Sequence, residues 1–571
     1  MKIFTGIPAS SGIAVGRAFV FHDEELPEIP HYNIKEAQAP DEWARLQKAA
    51  AEAAAEVKTL YDEASRIKGH QADILQAHLL MLEDPFYLDH LKDTLYKNLQ
   101  NSEWVANEVS IELSSQLLSS QDPVFQERAV DIADVTRRII NCLQGKKRDR
   151  FSLEYLAEDV ILVAHDLMPS DAIMMDKSHV KGLVMDEGSK TCHTAILARA
   201  FNIPAVLGLS LFSREVKDGQ MLAVDGSAGS VIVDPDTRTL TRQQNKIKQY
   251  NRQADQLLSL RDLPAETTDG HRVAINANIE FPDEAEKALL SGAEGIGLYR
   301  SEFLFISSGT PADEETQFEA YSRVLKTMGD KPVTIRTVDL GGDKMLTGNT
   351  FASEKNPLLG WRAIRLSLSN PEMFKTQLRA ILRASVYGNA RIMFPMISGI
   401  EELEQALRLL NEARAECRKK KQPIAKKIET GIMIEIPSAA IAADILAEKS
   451  DFFSIGTNDL VQYTFAADRG NEKVNQLGDP YHPAALRLIK QTIDAAHKKG
   501  IKAAMCGEFA GDPGATALLL GLGLDEFSMN TSSIPRIKQI IREVSLKDCK
   551  VLAAKCLAAR SVKEIHKAVK S

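Results

Sequence analysis

No stretch of about 18 consecutive apolar residues occurs in the 571-residue sequence, which argues against a membrane-spanning helix. The most apolar candidate, Ala517–Leu524, has only the length of a buried segment. The N-terminus, Met1-Lys-Ile-Phe-Thr, lacks the charged-then-apolar pattern of a secretory leader. The six cysteines (Cys142, Cys192, Cys417, Cys506, Cys549 and Cys556) show no Cys-x-x-Cys pair or other close ligand spacing, which argues against a zinc site or a disulfide framework. What is present is the balance of a globular protein, 44% hydrophobic and 26% charged residues, so wholesale disorder is excluded. The length is too great for one core and comfortable for about three domains. These features predict a reduced, cytoplasmic, multidomain protein without membrane insertion.

The net charge of −8 is unevenly placed. Residues 23–145 hold 23 acidic and 11 basic residues, a local net charge of −12. Charge of that density favours a basic partner and disfavours nucleic acid; a solvated helical surface is the plainer alternative.

Texture divides the chain. Residues 1–22 alternate like short strands, whereas residues 41–144 are Ala-rich, with Leu, Ile and Val spaced three and four apart, and read as helices punctuated by Pro85 and Pro123. From about Asp159 apolar β-type runs return (Val160-Ile-Leu-Val-Ala, Gly182-Leu-Val-Met, Met221-Leu-Ala-Val, Val231-Ile-Val). The expected organisation is an α/β domain made from residues 1–22 and 146–240, with an all-helical domain, residues 23–145, inserted into it. A helical linker follows at 241–262. In residues 263–571 eight short apolar runs, beginning at Val273, Gly295, Val333, Arg391, Gly431, Phe453, Ala503 and Glu526, alternate with helical stretches. That rhythm predicts a (β/α)8 TIM barrel, with a doubly wound sheet as the alternative.

In a barrel, chemistry sits at the C-terminal ends of the strands. Those ends carry Asn276 and Asn278, Arg300, Arg336 and Asp339, Glu435, Asn458 and Asp459, and Cys506, with Arg362 and Arg469 in the following segments. The arginines suit a phosphate or carboxylate anion. Glu435 and Asp459 supply two oxygen ligands for Mg²⁺. Cys506 is by base rate a buried small hydrophobe, but a thiol is also a credible proton donor near neutrality. A donor needs a carbanion or enolate to receive the proton, and phosphoenolpyruvate supplies one once its phosphoryl group has left. Upstream, the loop that follows the run ending at Met185 leads to His193 at the expected start of a helix, where an imidazole can act as nucleophile and free N–H groups favour phosphate.

Several motifs then become specific: Gly188-x-x-Thr-x-His193-Thr-Ala-Ile-Leu-Ala-Arg199, Gly297-Leu-Tyr-Arg300-Ser-Glu302-Phe-Leu-Phe, Asn356-Pro-Leu-Leu-Gly-Trp-Arg362, Phe453-Ser-Ile-Gly-Thr-Asn458-Asp459-Leu and Met505-Cys506-Gly507-Glu508. In this order and over essentially the whole length, they resemble enzyme I of the bacterial phosphotransferase system, the phosphoenolpyruvate–protein phosphotransferases. The resemblance implies a swivelling α/β domain whose His193 is phosphorylated. It implies that Arg300, Arg336, Asn458 and Arg469 bind phosphoenolpyruvate with Asp459 beside them, that Arg362 lies near the phosphate, that Glu435 and Asp459 hold Mg²⁺, and that Cys506 donates the proton. It further implies a homodimer through the barrel and, as acceptor, the phosphocarrier protein HPr, docked on the helical domain. There Gln76-Ala-His78-Leu-Leu-Met-Leu-Glu83-Asp84 resembles the docking helices, with His78, Glu83 and Asp84 as candidate contacts. One departure is visible: family members usually read Gly-Gly-Arg-Thr-Ser-His where this chain has Gly188-Ser189-Lys190-Thr191-Cys192-His193. A dikinase or synthase that uses phosphoenolpyruvate would need a large nucleotide-binding domain, and the short helical N-terminal part lacks a Gly-rich phosphate loop. A phosphoenolpyruvate sensor with the same chemistry is the other alternative.

Overall fold

The apolar runs of the sequence become strands of two different sheets. The structure, a computed structural model, describes all residues except 22–28, 67–70, 119–122, 146–152, 154–155, 157, 168–170, 172–174, 177, 189–193, 196–197, 199–200, 202, 307–311, 342–355, 469–470, 472 and 571. It divides into two units, Met1–Ala254 and Asp255–Ser571.

In the first unit eight strands form one sheet: β1 (Lys2–Thr5), β2 (Ile7–Ser10), β3 (Ile13–Phe21), β4 (Val160–Ala164), β5 (Val180–Met185), β6 (Ala205–Leu207), β7 (Met221–Asp225) and β8 (Ser230–Val233), in the order β1-β8-β7-β3-β4-β5-β6-β2. Strands β3 to β6 are parallel neighbours. All five residues of β4 are buried, and alternate side chains enter different cores: Val160, Leu162 and Ala164 on one face, Ile161 and Val163 on the other. Two covered faces explain why this strand reads as an unbroken apolar run rather than an alternating one.

Between β3 and β4 in the chain lie the helices α1 (Ala39–Arg66), α2 (Gln71–Glu83), α3 (Pro85–Asn98), α4 (Ser102–Leu118) and α5 (Pro123–Leu143). They enclose a core of their own that includes Leu46, Leu75, Leu91, Val105 and Ile139. Proline starts α3 and α5, where its missing N–H costs nothing, and the Asp84 carboxylate caps α3 by accepting from Phe86 N at 2.9 Å. A long polar helix, α6 (Thr237–Ser259), follows β8. Among the described residues no helix is long and apolar enough to cross a membrane.

The second unit is a closed barrel of β9 (Ala274–Ile279), β10 (Gly295–Tyr299), β11 (Pro332–Arg336), β12 (Asn389–Phe394), β13 (Glu429–Ile434), β14 (Phe452–Ile455), β15 (Lys502–Met505) and β16 (Glu526–Met529). Every neighbouring pair is parallel, and β16 pairs with β9 from Glu526↔Ala274 to Met529↔Ala277, which excludes the open doubly wound sheet. Leu298, Met393, Met433, Phe452 and Cys506 cluster in a small apolar core. At the strand starts Glu526 is bonded by Arg391 at 3.2 Å, Lys502 at 3.1 Å and Asn276 at 3.3 Å. Asn276 therefore belongs to the stabilising end of the barrel and not to its C-terminal mouth, because its amide is spent on a buried carboxylate there.

Candidate active site

The strand ends of the barrel converge on a cavity of about 470 Å³, lined by Arg300, Arg336, Arg362, Glu435, Asn458, Asp459 and Cys506, together with Glu302 and Asp339. Most lie at or just past the end of a barrel strand, whereas Arg362 immediately precedes the helix Ala363–Ser369. Arg336 ends β11, Glu435 follows β13, Asn458 and Asp459 open the helix Thr457–Phe465 after β14, and Cys506 follows β15. Eight of the residues expected at the barrel site, Asp339 among them, are thus brought together. Arg469 and His193 lie outside the described residues, as do Lys190, Thr191, Cys192 and Arg199.

Charge is tightly paired inside the cavity. Arg336 bonds Glu302 at 2.8 Å and Asp339 at 3.1 Å, while Arg362 bonds Asp339 at 2.8 Å and donates to the Tyr463 hydroxyl at 3.3 Å. Arg300 pairs with Glu280. Burial opposes ionisation of Asp339, but Arg336 and Arg362 outweigh it and hold the carboxyl below its usual range. Glu435, 1% exposed, accepts from Met396 N at 2.6 Å; burial first, then Asp339 and Asp459, pushes its carboxyl well up. One oxygen from each of Asp339, Glu435 and Asp459 falls within 4.8 Å of the others. Three carboxylates are crowded here, one of them raised by burial first and by the other two next, and a bound cation would relieve that crowding. An all-oxygen set of this kind fits a hard divalent cation such as Mg²⁺. Glu435 and Asp459 are the ligands expected from the sequence; Asp339 is the third candidate, signalled by its position three residues beyond Arg336 at the same strand end. Glu302, two residues after Arg300 in the same motif, orients Arg336 and also accepts from Asp339 N at 3.1 Å.

Cys506 is 4% exposed, and burial raises its thiol above the ordinary cysteine range against the smaller opposing effects of Ser454 and Arg336. Such a thiol stays protonated at neutral pH. Gly507 follows because any Cβ there would stand 1.9 Å from Thr457 Oγ1.

In the first unit, residues flanking His193 are described. Asp186, just past β5, is buried and accepts from Ser213 N at 3.0 Å and Oγ at 2.5 Å, and pairs with His165 at 3.1 Å. Thr194 is buried and donates to the Leu167 carbonyl at 3.4 Å. On the helical insertion Glu83 and Asp84 are exposed, but His78 is fully buried, with Nε2 3.2 Å from Asp131. In this position His78 packs α2 against α5.

The chain matches the families described as "PEP-utilising enzyme, PEP-binding domain" over residues 254–546, "PEP-utilising enzyme, mobile domain" over 156–229 and "PEP-utilising enzyme, N-terminal" over 5–128. Fold and site thus define the class of the PEP-utilising enzymes. The phosphoenolpyruvate-protein phosphotransferase of Priestia megaterium is 43% identical over 571 residues, covering 100% of this chain and 99% of that protein. That of Geobacillus stearothermophilus is 43% identical (100% and 98% covered), and that of Bacillus subtilis 42% (100% and 99%). The chain belongs to the phosphoenolpyruvate-protein phosphotransferase family, the enzymes I, and is a transferase.

Proposed function

We propose that this enzyme moves the phosphoryl group of phosphoenolpyruvate to its own His193, releasing pyruvate, and then to a histidine of HPr, the first step of a cytoplasmic phosphotransferase system for sugar uptake. One observation carries the reading: a guanidinium-lined cavity that also holds a carboxylate triad and a buried thiol. Arg300, Arg336, Arg362, Arg469 and Asn458 bind the phosphate and carboxylate of the substrate. Asp339, Glu435 and Asp459 would hold Mg²⁺, which supplies a Lewis acid for the transferring phosphoryl group and the enolate oxygen. Glu302 keeps the Arg336 fork in place, and the low-dielectric floor strengthens each of these interactions. Cys506 gives its proton to the enolate carbon, so the released product is pyruvate. His193 is the nucleophile, carried by the α/β domain of residues 1–22 and 146–240, which has to present it first to the barrel and then to HPr on the helical domain. Glu83 and Asp84, with the neighbouring exposed Leu80 and Phe86, suit that docking surface. The barrel, residues 263–571, serves as the homodimer interface.

A single-turnover experiment tests the reading. Enzyme in excess, Mg²⁺ and phosphorus-labelled phosphoenolpyruvate should yield pyruvate and protein-bound label in equal amounts, and Glu435→Gln should lose both. Pyruvate without protein-bound label would mean simple hydrolysis and would overturn it.

A further inference from the structure

Asn278, in β9, does not line the cavity, yet its amide is bonded at both ends. Ser528 Oγ, on β16, donates to Asn278 Oδ1 at 2.6 Å, and Asn278 Nδ2 donates to the backbone carbonyl of Cys506 at 2.9 Å. A carbonyl can only accept, so the amide has one orientation: its NH₂ faces Cys506 and its oxygen faces the hydroxyl. Strands β15, β16 and β9 are consecutive around the barrel, and this pair of bonds ties all three at the mouth.

The surroundings of the thiol are mostly apolar. It clusters with Leu298, Met393, Met433 and Phe452, and its polar neighbours are the Ile455 carbonyl at 3.9 Å and the Ser454 hydroxyl. Apolar contacts fill space without fixing a direction, so the aim of the S–H group comes from the backbone that carries it. That backbone is held on both sides of Cα. The Cys506 N–H donates to the Ile455 carbonyl at 3.1 Å, and the Cys506 carbonyl accepts from Asn278. Room for the arrangement comes from β10, where a Cβ on Gly297 would stand 2.4 Å from Ser528 Oγ. The glycine of the Gly297-Leu-Tyr-Arg300 motif therefore admits the serine that orients the amide.

We propose that Asn278, oriented by Ser528, is a positioning residue that aims the Cys506 thiol at the carbon receiving its proton. The proposal rests on the reading of Cys506 as proton donor to the enolate. In that step the S–H bond breaks, and a C3–H bond forms with the electron pair of the enolate C2=C3 bond, leaving C2 as a ketone. The thiolate recovers a proton from water. Run backward on pyruvate in D₂O, the thiolate removes a methyl proton, exchanges it with solvent and returns a deuteron. That exchange needs neither His193 nor a carrier protein.

The test follows deuterium entry into the pyruvate methyl group by proton NMR, with the full chain and Mg²⁺, alongside calorimetric binding of phosphoenolpyruvate. Asn278→Ala should slow exchange by roughly tenfold to a hundredfold, the cost of an ångström-scale misplacement, while phosphoenolpyruvate affinity stays within about twofold. Asn278→Asp should slow it at least as much, because a carboxylate would then face the Cys506 carbonyl. Ser528→Ala should give a smaller loss, its amide being free to turn. Exchange in Asn278→Ala within about twofold of wild type, with binding intact, would overturn the proposal. If Asn278→Ala fails to fold, unchanged exchange in Ser528→Ala overturns it instead. Wild-type enzyme that neither exchanges nor binds would overturn the phosphoenolpyruvate reading itself, and this proposal with it.

Discussion

Asp339 sits between two guanidinium groups and two carboxylates, and its neighbours decide what it can do. Arg336 and Arg362 keep it ionised, whereas Asp459 and Glu435 crowd it on the other side. As a third ligand it should matter as much as Glu435: Asp339→Asn is expected to raise the Mg²⁺ concentration for half-maximal pyruvate release by at least about tenfold. A titration with an unchanged midpoint would remove Asp339 from the ligand set. Arg362 bonds Asp339 and Tyr463 through different nitrogens of one planar group, a fork that lysine cannot form. Arg362→Lys should therefore lower kcat/KM by about tenfold or more despite the retained charge, measured in steady-state assays. Much of this site was legible in the sequence, because a polar residue immediately after an apolar run is conspicuous. The place of Asp339 in the carboxylate cluster was less so, since nothing in a linear sequence says that a carboxylate beside an arginine turns toward two others on distant strands. The burial of His78 against Asp131 is a tertiary fact of the same kind, invisible in its motif.

Among the elements, the loop that carries Arg336 and Asp339 is held from outside the barrel. Gln377, fully buried on the helix Pro371–Ala384, accepts from Val338 N at 3.0 Å and donates to Ser301 Oγ and the Tyr321 hydroxyl, both at 3.0 Å. Ser301 in turn donates to the Arg336 carbonyl at 2.8 Å. Gln377→Ala leaves buried groups unpaired, a cost of about 1–3 kcal/mol, and should speed amide exchange of the segment containing Val338 with little change in the first unit. Equal exchange there would contradict the network. On the barrel exterior, the helices Glu314–Met328 and Pro371–Ala384 are joined by Glu314, which bonds Arg379 at 2.8 Å and Arg383 at 2.9 Å. Burial raises the Glu314 carboxyl, but the two arginines prevail and hold it below its usual range. Stabilisation from such a lowered carboxyl is present above its unfolded pKa and lost as pH falls through the folded one. The Tm gap between wild type and Glu314→Gln should thus be largest near pH 7 and close below about pH 4. A gap independent of pH would contradict this. The eight strands themselves were visible in the sequence as apolar runs between helical stretches, but closure was not: it depends on β16 meeting β9, some 250 residues apart in the chain.

For the whole molecule, the insertion between β3 and β4 concentrates acid: residues 23–145 carry a net charge of −12. If that surface receives a basic carrier, association should weaken steeply with added salt, while phosphoenolpyruvate-driven self-phosphorylation changes little. The central claim is the passage of phosphate from a small anion at the barrel to His193. Its most direct measurement is mass-spectrometric mapping of the modified residue after wild-type enzyme has met phosphoenolpyruvate and Mg²⁺, with His193→Ala as control. The account predicts an acid-labile phosphoryl group on His193 that disappears when HPr is added and never forms in the variant. Phosphate on another residue, or equal labelling of His193→Ala, would contradict it.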